Sequence, residues 1–196
     1  MKSAGIIIYH VNDTSDFPLV LIGTEGKYLS DTNPYIRHLE KIPVNSDPNH
    51  YCFTMAKKLS TLSNHKVHIN KVSDTPRFVH ITPRSKQGII KGGMDTEDHQ
   101  DIFKTISREM MEEIGISITD GIQYLYQYND FTLFSLQVDK HTKQEIEEAI
   151  RTLELNYQGE LFNTAFVPFD KIEWNRLNQK SKKALQLFQK VVSQLI

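Results

Sequence analysis

The sequence contains a single cysteine, Cys52, in 196 residues. That excludes an internal disulfide and any zinc site built on several thiolates. Excess charge of either sign is also missing, with 23 Lys and Arg against 24 Asp and Glu and a net charge of −1. No global attraction to nucleic acid or to a membrane follows, so binding of that kind needs a local patch. Long apolar runs are absent as well. The run at residues 4–9 is too short for a signal-peptide core or a membrane span, and no other stretch approaches the roughly 18 residues a span requires. Lys2 follows Met1, where myristoylation requires glycine. There is no internal repeat and no low-complexity tract, and the histidines are scattered without metal-ligand spacing. These absences lead to the expectation of a soluble cytoplasmic protein that does not enter a membrane.

What is present is an ordinary globular composition, 39% hydrophobic and 24% charged. The length suits one domain over residues 1–196. Residues 4–9 and 18–23 are β-rich and are separated by the turn-forming cluster 12–16, which predicts a hairpin. From about 27 to 75 the pattern is irregular. Turn signals stand at Asn33-Pro34 and Asp47-Pro48, and a helix is expected over 49–62 with Phe53, Ala56 and Leu59 on one face. Strands are expected at 77–82, 87–91, 122–128, 131–138 and 160–167. Helices are expected at 102–114, 143–155 and 181–195, the last with a stripe of Ala184, Leu185, Phe188, Val191, Val192 and Leu195. Strands and helices without regular βαβ alternation indicate an α+β fold.

The informative segment is Arg108-Glu109-Met110-Met111-Glu112-Glu113-Ile114-Gly115-Ile116. Glu109, Glu112 and Glu113 stand at i, i+3 and i+4, so a helix lines all three carboxylates along one face. Like charges at this spacing repel by a few tenths of a kcal/mol each. A hard cation such as Mg²⁺ or Mn²⁺ removes that penalty. Phe103, Ile106, Met110 and Ile114 form a neighbouring stripe for packing on a sheet. Gly115 stands where a left-handed cap is expected, and Arg108 can orient a ligand carboxylate. Three glutamates alone read as a solvated acidic face, as do Glu145, Glu147 and Glu148. Arg108, Gly115 and the upstream Gly92-Gly93 set the first group apart.

Residues 108–116 match, position for position, the second half of the signature of the Nudix hydrolases. A chance match in a chain this size is expected on the order of once in 10⁵, so the segment resembles that family specifically. Gln87 through Gly93 resembles the strand and glycine turn that precede the family's motif helix. The resemblance implies a Nudix-type α/β/α sandwich with a mixed sheet and, before the motif, an insertion at about 27–75. It also implies Glu109, Glu112 and Glu113 as ligands of Mg²⁺ or Mn²⁺, with the Gly93 turn beside them and Arg108 in support. The implied reaction is hydrolysis of a pyrophosphate linkage, NDP-X to NMP and P-X. Glu113 or Glu160 could serve as general base.

Two departures stand out. The family's glutamate slot, counted back from Arg108, holds Gln100, and its glycine slot holds Met94, with Gly93 one place early. An extra loop residue would bring Glu97 or Asp98 to the vacant carboxylate position. Asp98 could instead cap the helix, with Asp101 at the reciprocal position. The missing glutamate keeps open the alternative of a catalytically degenerate Nudix-fold module that binds nucleotide or RNA.

The expected partner is a nucleotide-like or polyphosphate small molecule, with RNA a second candidate. Lys91, Glu160, Lys57 and Lys58 are candidate substrate contacts. The last two open a stretch, 57–71, that includes His65, Lys66, His68 and Lys71 and no acid; it reads either as basic surface or as a phosphate- or RNA-contacting patch. Tyr124, Tyr126 and Tyr128 alternate, which fits sheet core on one side more readily than stacking platforms. In layout, an insertion before the motif resembles the decapping and diphosphoinositol-polyphosphate Nudix hydrolases of large DNA viruses.

Overall fold

Successive residues of a strand point to opposite faces of its sheet. The first apolar run is continuous instead of alternating, so both of its faces have to be covered. The computed structural model describes residues 2–12, 16–29, 48–63, 66–69, 78–82 and 84–192. Its first half holds β1 (Ser3–His10), β2 (Leu19–Glu25), β3 (Lys27–Tyr28), α1 (Pro48–Ser63), β4 (Val67–Ile69) and β5 (Phe78–His80). The second half holds β6 (Gln87–Gly88), β7 (Ile90–Gly93), α2 (Ile102–Ile114), β8 (Ile122–Tyr128), β9 (Phe131–Gln137), α3 (Lys140–Leu155), β10 (Leu161–Pro168) and α4 (Gln179–Val192).

Both faces of β1 are indeed covered. Ala4, Ile6 and Ile8 join one apolar cluster with Ile106, Met110 and Ile114 of α2 and Ile146 and Ile150 of α3. Ile7 points the other way, to Ala184, Leu185 and Phe188 of α4. The fold is α+β, a mixed sheet with helices on both faces. The sheet runs β10-β2-β1-β9-β8, with β1 and β9 parallel and the other pairs antiparallel.

The predicted hairpin forms, but β1 and β2 pair only next to their turn, at Tyr9↔Val20 and His10↔Leu19. Beyond it they fork, and β6 and β7 fill the gap. β6 pairs with β2 at Gly23↔Gly88, and β7 pairs with β1 from Ile6↔Ile90 to Ser3↔Gly93. This fork brings the glycine turn to the start of β1, within reach of α2.

β3 and β4, from the region expected to be an insertion, form a small sheet with β5 in the order β3-β5-β4, closed by α1. Ala56 and Leu59 are buried there with Met55, Val67, Ile69 and Phe78, and Phe53 sits edge-on to Tyr157 at 5.2 Å. The Asn33-Pro34 signal lies outside the described residues, as do His65, Lys71 and Leu195. No helix among the described residues is long and apolar enough to cross a membrane.

Two packing expectations need correction. Phe103 is 51% exposed; it stands in the first turn of α2, where it only leans on Phe134 at 5.1 Å, and the helix is fixed by Ile106, Met110 and Ile114. The tyrosines of β8 are not core. Tyr124, Tyr126 and Tyr128 are 60%, 42% and 47% exposed, because β8 is an edge strand and an irregularity between Tyr124 and Tyr126 breaks its alternation.

His68 of β4 is fully buried and stacks on Phe162 with ring centroids 4.1 Å apart. Among the described residues neither ring nitrogen finds a hydrogen-bond partner. Burial first, then the Lys66 charge, lowers its pKa to about 3. A histidine with a depressed folded-state pKa contributes stability that is complete above its unfolded value near 6.5 and is lost as pH falls toward the folded one. His68→Phe, which keeps the stack, should therefore lose less stability between pH 7 and pH 4.5 than the parent, by on the order of 1–3 kcal/mol in denaturant titrations. Equal losses would mean that His68 is not held neutral by burial.

Candidate functional site

Helix α2 begins at the residue where a side chain can satisfy a free backbone amide. Asp101 is its N-cap and accepts from the Phe103 amide at 2.9 Å. It ends at Gly115, whose φ of 75° is left-handed and whose amide donates to the Met111 carbonyl at 3.1 Å. Asp98 is not this helix's cap. It lies in the 3₁₀ turn Thr96–Asp98, in a capping box with Asp95. His99 and Gln100 follow with φ of 49° and 64°, positive values that cost about 1–2 kcal/mol each.

That turn delivers Asp98 to Arg108. The guanidinium donates to both Asp98 oxygens at 3.2 and 3.1 Å, to Glu109 Oε1 at 2.8 Å, to Glu112 Oε2 at 3.2 Å and to the Gly93 carbonyl at 2.7 Å. Thr105 Oγ1 donates to Asp98 as well, at 2.9 Å. Burial raises the Asp98 pKa, but the hydrogen bonds from Arg108, the Asp95 amide and Thr105 outweigh it and hold the carboxyl below its ordinary value. Arg108 is shifted upward: burial works against its charge, and Asp98, Glu109 and Glu112 outweigh it. One cation thus ties the loop, the glycine turn and two motif glutamates together.

Glu109 and Glu113 are only 8% and 7% exposed. A Cβ added to Gly92 would overlap the Glu109 carboxylate, so the bare backbone of β7 is what admits it. Burial, with Glu112 and Glu160 adding, pushes the Glu109 pKa to about 7 against the pull of Arg108. Burial also drives Glu113 well above the ordinary value, helped by Glu109, Glu160 and Glu25 and opposed by Lys91. Among the described residues Glu113 Oε2 has no hydrogen-bond partner.

The structure brings Arg108, Glu109, Glu112, Glu113 and Gly93 together, with Lys91 and Glu160 close enough for their charges to act on Glu113. Glu160 accepts from the Tyr28 hydroxyl at 2.7 Å. Lys57 and Lys58 are exposed on α1, a different element from the one that carries the glutamates. Lys66 pairs with Glu154 at 3.2 Å. Glu25 is the residue that sequence reasoning missed. It pairs with Lys91 and accepts from Asn178 Nδ2 at 2.5 Å. Nothing local marks it; it arrives through the pairing of β2 with β6.

Among the described residues no three His, Cys, Asp or Glu side chains converge as the ligands of one ion would. Arg108 instead holds Glu109 and Glu112. The donor chemistry nonetheless fits a hard divalent cation: two buried carboxylates, an oxygen without a partner, and two further carboxylates whose charge repels them.

These shifts have a thermodynamic sign. A carboxyl whose folded-state pKa lies above its unfolded value near 4.5 contributes stability below that value and loses it as pH rises through the folded pKa, here about 7 for Glu109. In chelator, Glu109→Gln should flatten the loss of stability between pH 4.5 and 7. At pH 8 it should be more stable than the parent by on the order of 1–3 kcal/mol. A variant less stable at pH 8, with an unchanged slope, would show that the carboxylate is not strained.

No family model matches the chain, and no curated protein matches it. Similar solved structures include the NUDIX domain of Shewanella oneidensis NrtR complexed with ADP ribose. It is 8% identical with a TM-score of 0.49, over 98% of this chain and 88% of that one. A C. elegans Ap4A hydrolase binary complex is 12% identical with a TM-score of 0.42, over 98% of both chains. The C-terminal domain of mouse MUTYH, in complex with human PCNA, is 9% identical with a TM-score of 0.43, over 98% of this chain and 89% of that one. Nudix domains are thus among the similar structures.

Proposed function

We propose that the chain is a divalent-cation-dependent hydrolase of the Nudix type that cleaves a pyrophosphate linkage in a nucleoside-diphosphate-linked substrate. The observation that carries this reading is the pair of buried carboxylates, Glu109 and Glu113, one with an oxygen that has no partner among the described residues. Burying such groups unpaired costs several kcal/mol, and a site that holds a cation gives that cost a use. Glu109, Glu112 and Glu113 would hold Mg²⁺ or Mn²⁺, beside the Gly93 carbonyl. The bound ion would neutralise charge on the phosphate oxygens and acidify water.

The residues themselves do the positioning. Arg108 links the Gly93 turn to Glu109 and Glu112. Lys91 supplies positive charge at the buried end of the cluster. Water adds to a phosphorus, the bridging P–O bond breaks, and NMP and P-X leave. Glu113 or Glu160 would accept the water's proton. Asp98 supports this reading over a degenerate binding module, because it gives Arg108 the carboxylate that Gln100 cannot provide.

A panel of nucleoside triphosphates, ADP-ribose, dinucleoside polyphosphates, capped RNA and inositol pyrophosphates, with Mg²⁺ and with Mn²⁺, tests the activity by release of phosphate or NMP. Cleavage that stops with chelator is expected; none from any substrate would overturn the reading. Glu112→Gln and Glu113→Gln should each lower kcat by at least ~10²-fold. Near-parental turnover in either would remove the metal role. Gly92→Ala should lower turnover by on the order of 10–10²-fold with little change in Tm, since its Cβ meets the far end of the Glu109 side chain and not a backbone atom. A variant that unfolds instead would place Gly92 in stability.

A further inference from the structure

The small sheet is stitched to the segment that leads into β10, and that segment ends on Glu160. The Ile69 amide donates to the Tyr157 carbonyl at 2.6 Å, and the Gly159 amide donates to the Ile69 carbonyl at 3.1 Å. The Gly26 amide, at the entry to β3, donates to the Glu160 carbonyl at 2.9 Å. A Cβ on Gly26 would overlap the Phe162 ring, so β3 starts flush against β10. The stacking of His68 on Phe162 and of Phe53 edge-on to Tyr157 adds apolar contact to these bonds. The same segment passes the end of α2, where a Cβ on Gly159 would stand 3.5 Å from the Glu112 carbonyl oxygen. Residues 157–160 are therefore held both by the small sheet and beside the helix that carries the motif glutamates.

These contacts fix the backbone of Glu160 but not its side chain, which turns about three bonds before it reaches the carboxylate. A single residue of β3 acts on that end. The Tyr28 hydroxyl donates to Glu160 Oε1 at 2.7 Å, and Tyr28 is itself set in register opposite Val79 of β5. The Glu160 charge reaches both Glu109 and Glu113, where it adds to the upward shift of their pKa values. Like charges this near repel, so a carboxylate on a freely turning side chain would swing away from the cluster. A hydroxyl on a rigid ring opposes that swing, and it does so without bringing a positive charge that would cancel the carboxylate's own.

We infer that Tyr28 is a positioning residue for the hydrolysis and that the small sheet serves to present it, with the hydroxyl holding Glu160 toward the carboxylate cluster of α2. The inference rests on the hydrolase reading and selects Glu160 over Glu113 as the acceptor of the water's proton. As the water oxygen bonds to phosphorus, its O–H bond breaks and the proton passes to Glu160 Oε2, since Oε1 is engaged by Tyr28. Tyr28 touches no reacting atom and acts only through Glu160.

The test has two arms, both on the full chain. In chelator and without substrate, the carboxyl ¹³C resonance of Glu160, assigned by its loss in Glu160→Gln, should move in Tyr28→Phe. That change keeps the ring and removes only the hydroxyl, and Tyr28 is 48% exposed, so the fold should be kept. An unmoved resonance would overturn the inference whether or not the chain cleaves anything. The second arm uses Mn²⁺ and the member of the panel above that the parent cleaves fastest. Tyr28→Phe should lower kcat on the order of tenfold and leave KM within about twofold of the parent. In the Glu160→Gln background the same change should cost almost nothing further, because the group it acts through is gone. Parental kcat in Tyr28→Phe, or a full additive loss in the double variant, would overturn the inference and leave the hydrolase reading standing. A parent that cleaves no member of the panel would overturn the hydrolase reading itself, and the catalytic role of Tyr28 with it.

Discussion

Two carboxylates from one helical turn are buried, the first of them against a strand backbone that has no side chain to meet it. Glu109 and Glu113 sit one turn apart on α2, and the absence of a Cβ at Gly92 admits the first of them. Each is destabilising in isolation, since an unpaired buried carboxylate costs several kcal/mol. The neighbouring structure can be understood as the means of holding them there. The fork between β1 and β2 admits β7, β7 carries Gly92, and the apolar face of α2 presses the helix onto the same sheet through Ile106, Met110 and Ile114. Arg108 offsets part of the charge and fixes the rest of the site by bridging Asp98, Glu109, Glu112 and the Gly93 carbonyl.

Much of this was legible in the sequence because it is local. The end of α2 follows from Gly115, whose missing side chain suits a left-handed cap, whereas its N-cap proved to be Asp101 and not Asp98. The shared face of the glutamates follows from helical spacing, and the packing role of Ile106 and Met110 follows from the same period. Phe103 fits the period too, but it lies in the first turn and stays half exposed beside Phe134. Periodicity gives the direction of a side chain and not the extent of its partner surface.

The less legible parts depend on chain reversal. The one-residue offset upstream of Arg108 left Glu97 and Asp98 as equal candidates. The left-handed pair His99-Gln100 decides for Asp98, and a backbone conformation of that kind has no strong signature when glycine is absent. Glu25 reaches the site only through strand pairing, and Glu160 meets Tyr28 across 132 positions of the chain. The tyrosines of β8 misled for a related reason. Alternation says which residues share a face, but whether that face is covered depends on the strand's place in the sheet, and β8 is at the edge.

The buried pair also makes a quantitative demand on cation binding. With the Glu109 pKa at about 7 and that of Glu113 raised well above its ordinary value, the cluster holds a proton at pH 6.5, and an ion that binds there must displace it. Calorimetric titration of the chelator-stripped protein with Mn²⁺ at pH 6.5, in buffers of different ionisation enthalpy, counts those protons. The account predicts saturable binding with release of about one to two protons per ion, falling when Glu113 is replaced by Gln. Binding without proton release, or no saturable binding at all, would contradict the claim that these carboxylates form a cation site.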